Sequence, residues 1–307
     1  MRLKNDELLF LEILETVDAL AKDLYAKGLK GRHKETPAAA ARGVKHYADL
    51  VSEADEQIEA ALVAGIEARF PGDGIIGEEG ISRVSETGRA WVLDPIDGTT
   101  AFLGQRDGDW AIVAARIEGD ITRDKKVVTN AGVRFPAPEN YNTLFSVIHS
   151  PSTDTTAIAN ETGAYLLIPG RTDFHSDISY LKRAITYPNQ YFEKVELSAE
   201  SSLDKAVLSS YISAKTTPEY RERLTDVFFS ASLVFNGASG ATEHIKIIRG
   251  LTDGWFVVYT DYTCPWDYVA GIHIVEAAGG HTGWFENVLF AGNSEQLFSE
   301  FRDHMES

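Results

Sequence analysis

Twelve residues, Trp91 to Phe102, constrain this chain more than any other stretch. They read Trp-Val-Leu-Asp94-Pro95-Ile96-Asp97-Gly98-Thr99-Thr100-Ala101-Phe102. Trp91, Val92 and Leu93 make a short apolar run of the kind that forms a buried strand, and it delivers a carboxylate, Asp94, at its end. Pro95 has no N–H to give to a ladder, so regular strand pairing is expected to stop there. Asp97-Gly98 is a turn dipeptide, with Gly98 free to take positive φ or to let another group approach closely. Two acids three residues apart around a fixed turn can converge on one or two hard cations, with the Ile96 carbonyl between them. The small residues that follow offer N–H and hydroxyl groups to an anion. Taken alone, Asp-Pro and Asp-Gly are ordinary loop dipeptides. Together with the carbonyl and the anion cradle they predict a Mg²⁺ site that handles phosphate.

Other segments supply further acids. Residues 6–29 read as an amphipathic helix, with Phe10, Ile13, Leu14, Val17, Leu20, Ala21 and Leu24 at helical spacing. Ser52 followed by Asp55 forms a capping-box pattern that opens a second helix, with Ile58, Leu62, Ile66 and Phe70 on one face. It stops at Pro71-Gly72. Ile75-Ile76-Gly77 then reads as a strand ending in Glu78-Glu79. Twin glutamates are ordinarily solvated, but a strand end beside a second strand end can bring Glu78 and Asp94 to one cation. Asp267 follows Cys264-Pro265-Trp266 at a helix start, where an acid serves either as a plain N-cap residue or as a rigidly held ligand.

Strands at 110–117, 127–133, 144–148 and 164–168, with turns but no helices between them, predict an antiparallel sheet. From about residue 198 the texture changes. Strands at 206–212, 233–235 and 254–259 alternate with helices at 219–230, 240–249 and 267–278, which implies a layered α/β half. The expected division is residues 1–197 and 198–307. A chain of 307 residues with net charge −17 has no basic balance for nucleic acid or an anionic membrane. Cys264 is the only cysteine, so no internal disulfide can form, and it reads as a packing residue. No apolar run approaches the ~20 residues of a membrane span, and the first residues lack a signal-peptide core. A cytoplasmic location is expected.

The ordered set resembles the inositol monophosphatase family of Mg²⁺-dependent, Li⁺-sensitive phosphatases. The resemblance is carried by Asp49-Leu-Val-Ser-Glu-Ala-Asp55, Gly77-Glu-Glu79, Trp91 to Thr99 and Trp266-Asp-Tyr-Val-Ala-Gly271. Gly163-Ala-Tyr-Leu166 and Arg249-Gly-Leu-Thr-Asp-Gly254 add to it. It implies an α+β half and an α/β half stacked as alternating α-β-α-β-α layers. It also implies that Glu78, Asp94 and the Ile96 carbonyl hold one Mg²⁺, and that Asp94, Asp97 and Asp267 hold a second. Glu78 would help a third ion through water. Thr99, bonded to Asp49, would orient the attacking water, with Glu78 also acting in catalysis, and the N–H groups of Gly98, Thr99 and Thr100 would bind phosphate. The expected activity is hydrolysis of a small polyol or sugar phosphate. The alternatives are a 3′-phosphoadenosine nucleotidase, a fructose bisphosphatase, a histidinol phosphatase or a non-catalytic phospholigand-binding relative. Ala238, Ser239 and Asp261 are the nearest counterparts of the substrate-side residues. Ala101 and Gly104 stand where the family carries Asn and His. The aromatic segment 167–195 looks long for the family, as a surface insertion, a pocket rim or an oligomer contact. A homodimer is implied by the family alone.

Overall fold

The computed structural model describes residues 3–33, 50–119, 127–128, 134–135, 141–167, 180–197, 202–212, 218–258 and 265–306. Asp49, Asp261 and Cys264 lie outside the described residues, as does Phe174 of the aromatic segment. The N-terminal part opens with α1 (Asn5–Ala26), followed by the short strands β1 (Arg32–His33) and β2 (Leu50–Val51). Helix α2 (Glu53–Arg69) comes next, capped as its sequence predicts. The Ser52 hydroxyl accepts the Ala54 N–H at 3.1 Å, and the Asp55 carboxylate accepts the Ser52 N–H at 2.7 Å.

Strands β3 (Gly74–Gly77), β4 (Ser82–Arg83), β5 (Arg89–Asp97) and β6 (Ala111–Gly119) follow, with the five-residue helix α3 (Thr99–Leu103) between the last two. After the short pair β7 (Val127–Val128) and β8 (Arg134–Phe135) come β9 (Tyr141–Ser150), β10 (Thr155–Asn160) and β11 (Gly163–Leu167). Helices α4 (Tyr180–Thr186) and α5 (Pro188–Tyr191) then lead into β12 (Glu193–Val195). One eight-stranded sheet runs in the order β12-β11-β10-β9-β6-β5-β3-β4. It is antiparallel as expected except at one place: β3 and β5 pair in parallel, because the chain reverses twice between them, into and out of the short β4 that pairs antiparallel with β3.

The C-terminal part contains β13 (Val207–Tyr211), α6 (Pro218–Ser230), β14 (Leu233–Asn236), α7 (Gly240–Ile248) and β15 (Gly254–Val258). It continues with α8 (Pro265–Ala277), the hairpin β16 (His281–Phe285) and β17 (Val288–Gly292), and α9 (Glu295–Glu306). The order β14-β13-β15-β17-β16 makes a mixed sheet, parallel through the first three strands and antiparallel in the last three.

Three cores show the layering. The first joins α1 and α2 to one face of the large sheet through Phe10, Leu14, Ile58, Trp91 and Leu93. The second fills the space between the sheets with α7 and α8, drawing on Val92, Val113, Ile245, Val269, Trp255 and Leu289. The third packs α6 and α9 on the far face of the small sheet around Phe256, Phe290 and Phe301. The result is α-β-α-β-α. Strand β5 is apolar without interruption because alternate residues enter different cores: Trp91 and Leu93 the first, Ala90 and Val92 the second.

Trp91 fixes that strand. It stacks on Phe10 with ring centroids 4.4 Å apart and leans on Phe70 at 5.1 Å. Pairing does not stop at Pro95. Strand β5 runs on to Asp97, and Pro95 sits in an irregularity where the β5–β6 register shifts between Asp94 and Asp97. A bulge needs no N–H at that position, so it accommodates the proline without ending the strand. No helix of the described residues is long and apolar enough to cross a membrane.

Candidate active site

The acids meet because two strands end side by side. The β3–β5 register sets Gly77 opposite Leu93, and the next N–H, that of Glu78, donates to the Leu93 carbonyl at 3.1 Å. Glu78 therefore emerges beside Asp94, and their carboxyl groups share a hydrogen bond. Asp94 is buried, and its pKa is held well above the usual carboxylate range. Burial is the largest cause, followed by the charges of Glu78, Asp97 and Asp267. One of its oxygens accepts the Ile96 N–H at 3.0 Å across the bulge. The structure thus brings three of the predicted acids, Glu78, Asp97 and Asp267, into electrostatic range of a fourth, Asp94.

Asp97 sits three residues on and is treated differently. One oxygen, Oδ2, accepts both the Ser239 hydroxyl at 2.8 Å and the Ala241 N–H at 2.5 Å. Its pKa is pushed up to about 6: burial raises it most, those two donors pull it down, and the charges of Glu78 and Glu243 push it up. Gly98 follows with φ 90°, in the left-handed region. A Cβ there would lie 2.6 Å from the Asp109 carbonyl oxygen and 3.0 Å from Ser239 Cβ, so only glycine fits where the two halves of the chain touch.

Gly98 also starts α3, its carbonyl accepting the Ala101 and Phe102 N–H groups. The N–H groups of Thr99 and Thr100, in the first turn, have no upstream helical carbonyl. The Thr99 hydroxyl lies 3.1 Å from Asp55 Oδ1 and 3.1 Å from the Ile96 carbonyl. One hydroxyl proton serves two acceptors, so anything that occupies the Ile96 carbonyl commits that proton to Asp55.

Asp55 is the site residue that sequence reasoning missed as such. It read as a capping acid, and it is one through Oδ2, while its other oxygen reaches Thr99 from 44 positions away. Glu243 was also missed. It is fully buried in α7, paired with Lys246 at 2.6 Å, and close enough to Asp97 to raise its pKa. A helix acid three residues before a lysine reads as surface, so no pattern would have found it. Ser239, expected on the substrate side, is buried with its hydroxyl committed to Asp97. Ala238 is partly buried and packs on the first core.

Asp267 lies in the first turn of α8, behind buried Pro265 and Trp266. Gly271, which ends the Trp-Asp-Tyr-Val-Ala-Gly motif, is there because α7 and α8 cross closely. A Cβ at 271 would fall 2.4 Å from His244 Nδ1. His244 is buried, and since the Gly240 carbonyl 2.6 Å from Nδ1 can only accept, Nδ1 carries the proton. Burial pushes its pKa down to about 4.

Among the described residues, no three His, Cys, Asp or Glu side chains close into a cage that could by itself hold a metal ion. Mg²⁺ does not need such a cage. It keeps several waters, takes one or two carboxylates and accepts substrate oxygens for the rest. A buried acid raised by three neighbouring acids is a donor set that a divalent cation would relieve, so the residues present fit that ion.

Comparison with known proteins gives a consistent picture. The profile of the inositol monophosphatase family matches residues 11–296. A histidinol-phosphatase from Chlorobaculum parvum is 42% identical over 69 residues, a local match taking in 22% of this chain and 27% of that protein. A fructose-1,6-bisphosphatase/inositol-1-monophosphatase from Thermotoga maritima is 26% identical over 255 residues, 83% of this chain and 77% of its own length. Among solved structures, the extragenic suppressor protein suhB from Bartonella henselae superposes with a TM-score of 0.71 at 19% identity, covering 97% of each chain.

Proposed function

Since the chain belongs to the inositol monophosphatase family, a family of phosphatases, we propose that it is a Mg²⁺-dependent phosphomonoesterase acting on a small polyol or sugar phosphate. The observation that carries the reading is the position of Asp94, buried and raised by Glu78, Asp97 and Asp267 together. In this reading Glu78, Asp94 and the Ile96 carbonyl would hold one Mg²⁺, Asp94, Asp97 and Asp267 would hold a second, and Glu78 would help a third through water. The ions would supply Lewis-acid charge to the phosphate and acidify the attacking water.

The chain's own residues do the rest. The first-turn N–H groups of Thr99 and Thr100, with that of Gly98, bind the phosphate oxygens. The Thr99 hydroxyl donates to Asp55, which leaves its lone pairs to accept a proton of the attacking water and hold it in line. The resemblance gives Asp49 the same task, and the two carboxylates are separable by mutation. Water adds to phosphorus as the ester P–O bond breaks. The alcohol leaves with a proton and inorganic phosphate remains. Phosphoryl transfer of this kind rests on positioning and charge neutralisation, so no covalent nucleophile is needed.

Substrate choice belongs to the residues in which relatives diverge, and Ala238, Ser239 and Asp261 remain the substrate-side candidates. We extend the reading to a cytoplasmic homodimer on the family likeness, which gel filtration checks for the oligomer. The test of function is phosphate release from inositol, sugar, nucleotide and histidinol phosphates with Mg²⁺, with EDTA and with Li⁺. Release that needs Mg²⁺, stops on chelation and falls with Li⁺ is expected for at least one compound. Release indifferent to chelation, or none from the whole panel, would overturn the reading.

A further inference from the structure

Asp97 is gripped from the other half of the chain in a way that decides what it can offer a cation. Its Oδ2 accepts the Ser239 hydroxyl at 2.8 Å and the Ala241 N–H at 2.5 Å. A carboxylate oxygen has two lone-pair directions, and two donors fill both. The Ser239 hydroxyl has no freedom to turn away. Its oxygen accepts the Thr242 N–H at 3.1 Å as the N-cap of α7, which leaves its single proton for Asp97. The side chain is 2% exposed, and its Cβ is wedged against Gly98, so solvent does not compete for the bond. The Ala241 N–H lies in the first turn of the nine-residue α7, where the helix dipole favours a negative charge. Asp97 thus serves as a second cap on α7 from 142 residues away.

We propose that Ser239 is a positioning residue: with the Ala241 N–H it ties up Oδ2 of Asp97, so that Asp97 meets the second cation through Oδ1 alone. This rests on the cation assignment made above. Its consequence is selectivity. Mg²⁺ takes single carboxylate oxygens in a tight octahedron, whereas Ca²⁺ readily takes both oxygens of one carboxylate. A clamp that removes one oxygen leaves Mg²⁺ unharmed and denies Ca²⁺ its bidentate contact. Removing the hydroxyl should therefore weaken Mg²⁺, by letting the ligand swing, and favour Ca²⁺, by freeing a lone pair.

The test is calorimetric titration of the full chain with Mg²⁺ alone and Ca²⁺ alone, without substrate, for the parent, Ser239→Ala and Ser239→Gly. Alanine loses both the clamp and the cap, whereas glycine is a fair N-cap and loses mainly the clamp. Both variants are expected to lower the Mg²⁺-to-Ca²⁺ affinity ratio about tenfold, the lower range for outer-shell partners of metal ligands. If Ser239→Gly keeps the parent ratio, or if both cations weaken in step, the proposal is overturned and Ser239 is only a cap. If Ser239→Ala does not fold, the glycine variant decides. Absence of binding to the parent overturns the cation assignment and this inference together. A ratio shift in a protein that turns over nothing in the phosphatase panel upholds the inference and sinks only the activity.

Discussion

The eight-stranded sheet and the five-stranded half contribute to the site by opposite means. In the large sheet, two parallel strand ends crowd Glu78 and Asp94 together, and the fold supplies Asp94 with one backbone N–H against the charges of three other acids. In the C-terminal half, the start of α7 gives Asp97 a hydroxyl and an N–H at once, and buried Glu243, paired with the partly exposed Lys246, stands behind it. The outcome differs in kind. Asp94 is driven well above the carboxylate range, whereas Asp97 settles at about 6 in spite of its own burial. One half crowds two carboxylates together, and the other half, besides adding the charges of Asp267 and Glu243, orients a third. Replacements on the two sides should therefore fail differently.

The largest effect is expected at Asp94. Asp94→Asn removes the acid that both proposed cation positions share, so turnover of whichever phosphate ester the panel identifies should fall by roughly a thousandfold or more, the scale for losing a central electrostatic group. The same change relieves repulsion among buried acids, so the cation-free protein should unfold at a higher temperature than the parent. Lost activity with gained stability is the signature of a group placed for charge. If both fell together, Asp94 would be a packing residue and the contrast between the halves would collapse.

Gly271 sharpens the other side. Gly271→Ala puts a methyl group 2.4–2.5 Å from three ring atoms of His244, whose ring is fully buried and cannot retreat. The expected loss is about 2–3 kcal/mol in denaturant titration, the upper part of the usual overpacking range. Because α8 carries Asp267 four residues earlier, activity should fall as well. His244→Ala in the same chain empties the space and should return much of the lost stability. Additive losses in the double variant would show that the two helices do not meet through this contact.

How much of this could be read from residues alone follows from separation along the chain. The run Trp91–Leu93, the acid at its end and Glu78 at the neighbouring strand end are local patterns, and their meeting needs only one parallel register. Pro95 misled because it predicts a stop, whereas a bulge absorbs it. Strand β10 (Thr155–Asn160) escaped because Thr-Thr-Ala-Ile-Ala-Asn, with one large apolar residue, carries little hydrophobic signal, yet all six are buried in the sheet. Asp55 was found as a cap and missed as a partner of Thr99, since a carboxylate with two oxygens can do both and only one job is local. Ser239 was noticed in a motif as a substrate-side residue, and its bond to Asp97 was not foreseen. Its partner, Asp97, is 142 residues distant, and nothing in either segment names the other.

Two buried histidines carry the comparison into pH, where the smallest effect lies. His149, in the large sheet, has an acid beside it: Nε2 is 2.9 Å from Asp18 Oδ1, and Nδ1 is 2.8 Å from the Thr156 hydroxyl. His244, in α7, has the Gly240 carbonyl as its one hydrogen-bond partner among the described residues, and its pKa of about 4 lies below the unfolded value of 6.5. Between those two values the unfolded chain binds a proton that the folded chain refuses, so His244 favours folding fully above about 6.5 and progressively less as pH falls toward 4. At pH 5 the loss from this one group is about 2 kcal/mol relative to pH 7, at about 1.36 kcal/mol per unit. His244→Gln removes the titration, so the difference in unfolding free energy between pH 7 and pH 5, measured in urea, should shrink by about that amount. Groups other than His244 contribute equally to parent and variant and cancel in this difference of differences. An unchanged pH dependence would mean that His244 takes up its proton inside the folded helix pair. The crossing of α7 and α8 would then hold a buried cation besides the charges of Glu243 and Asp267, and its contrast with the crowded acids of the large sheet would weaken.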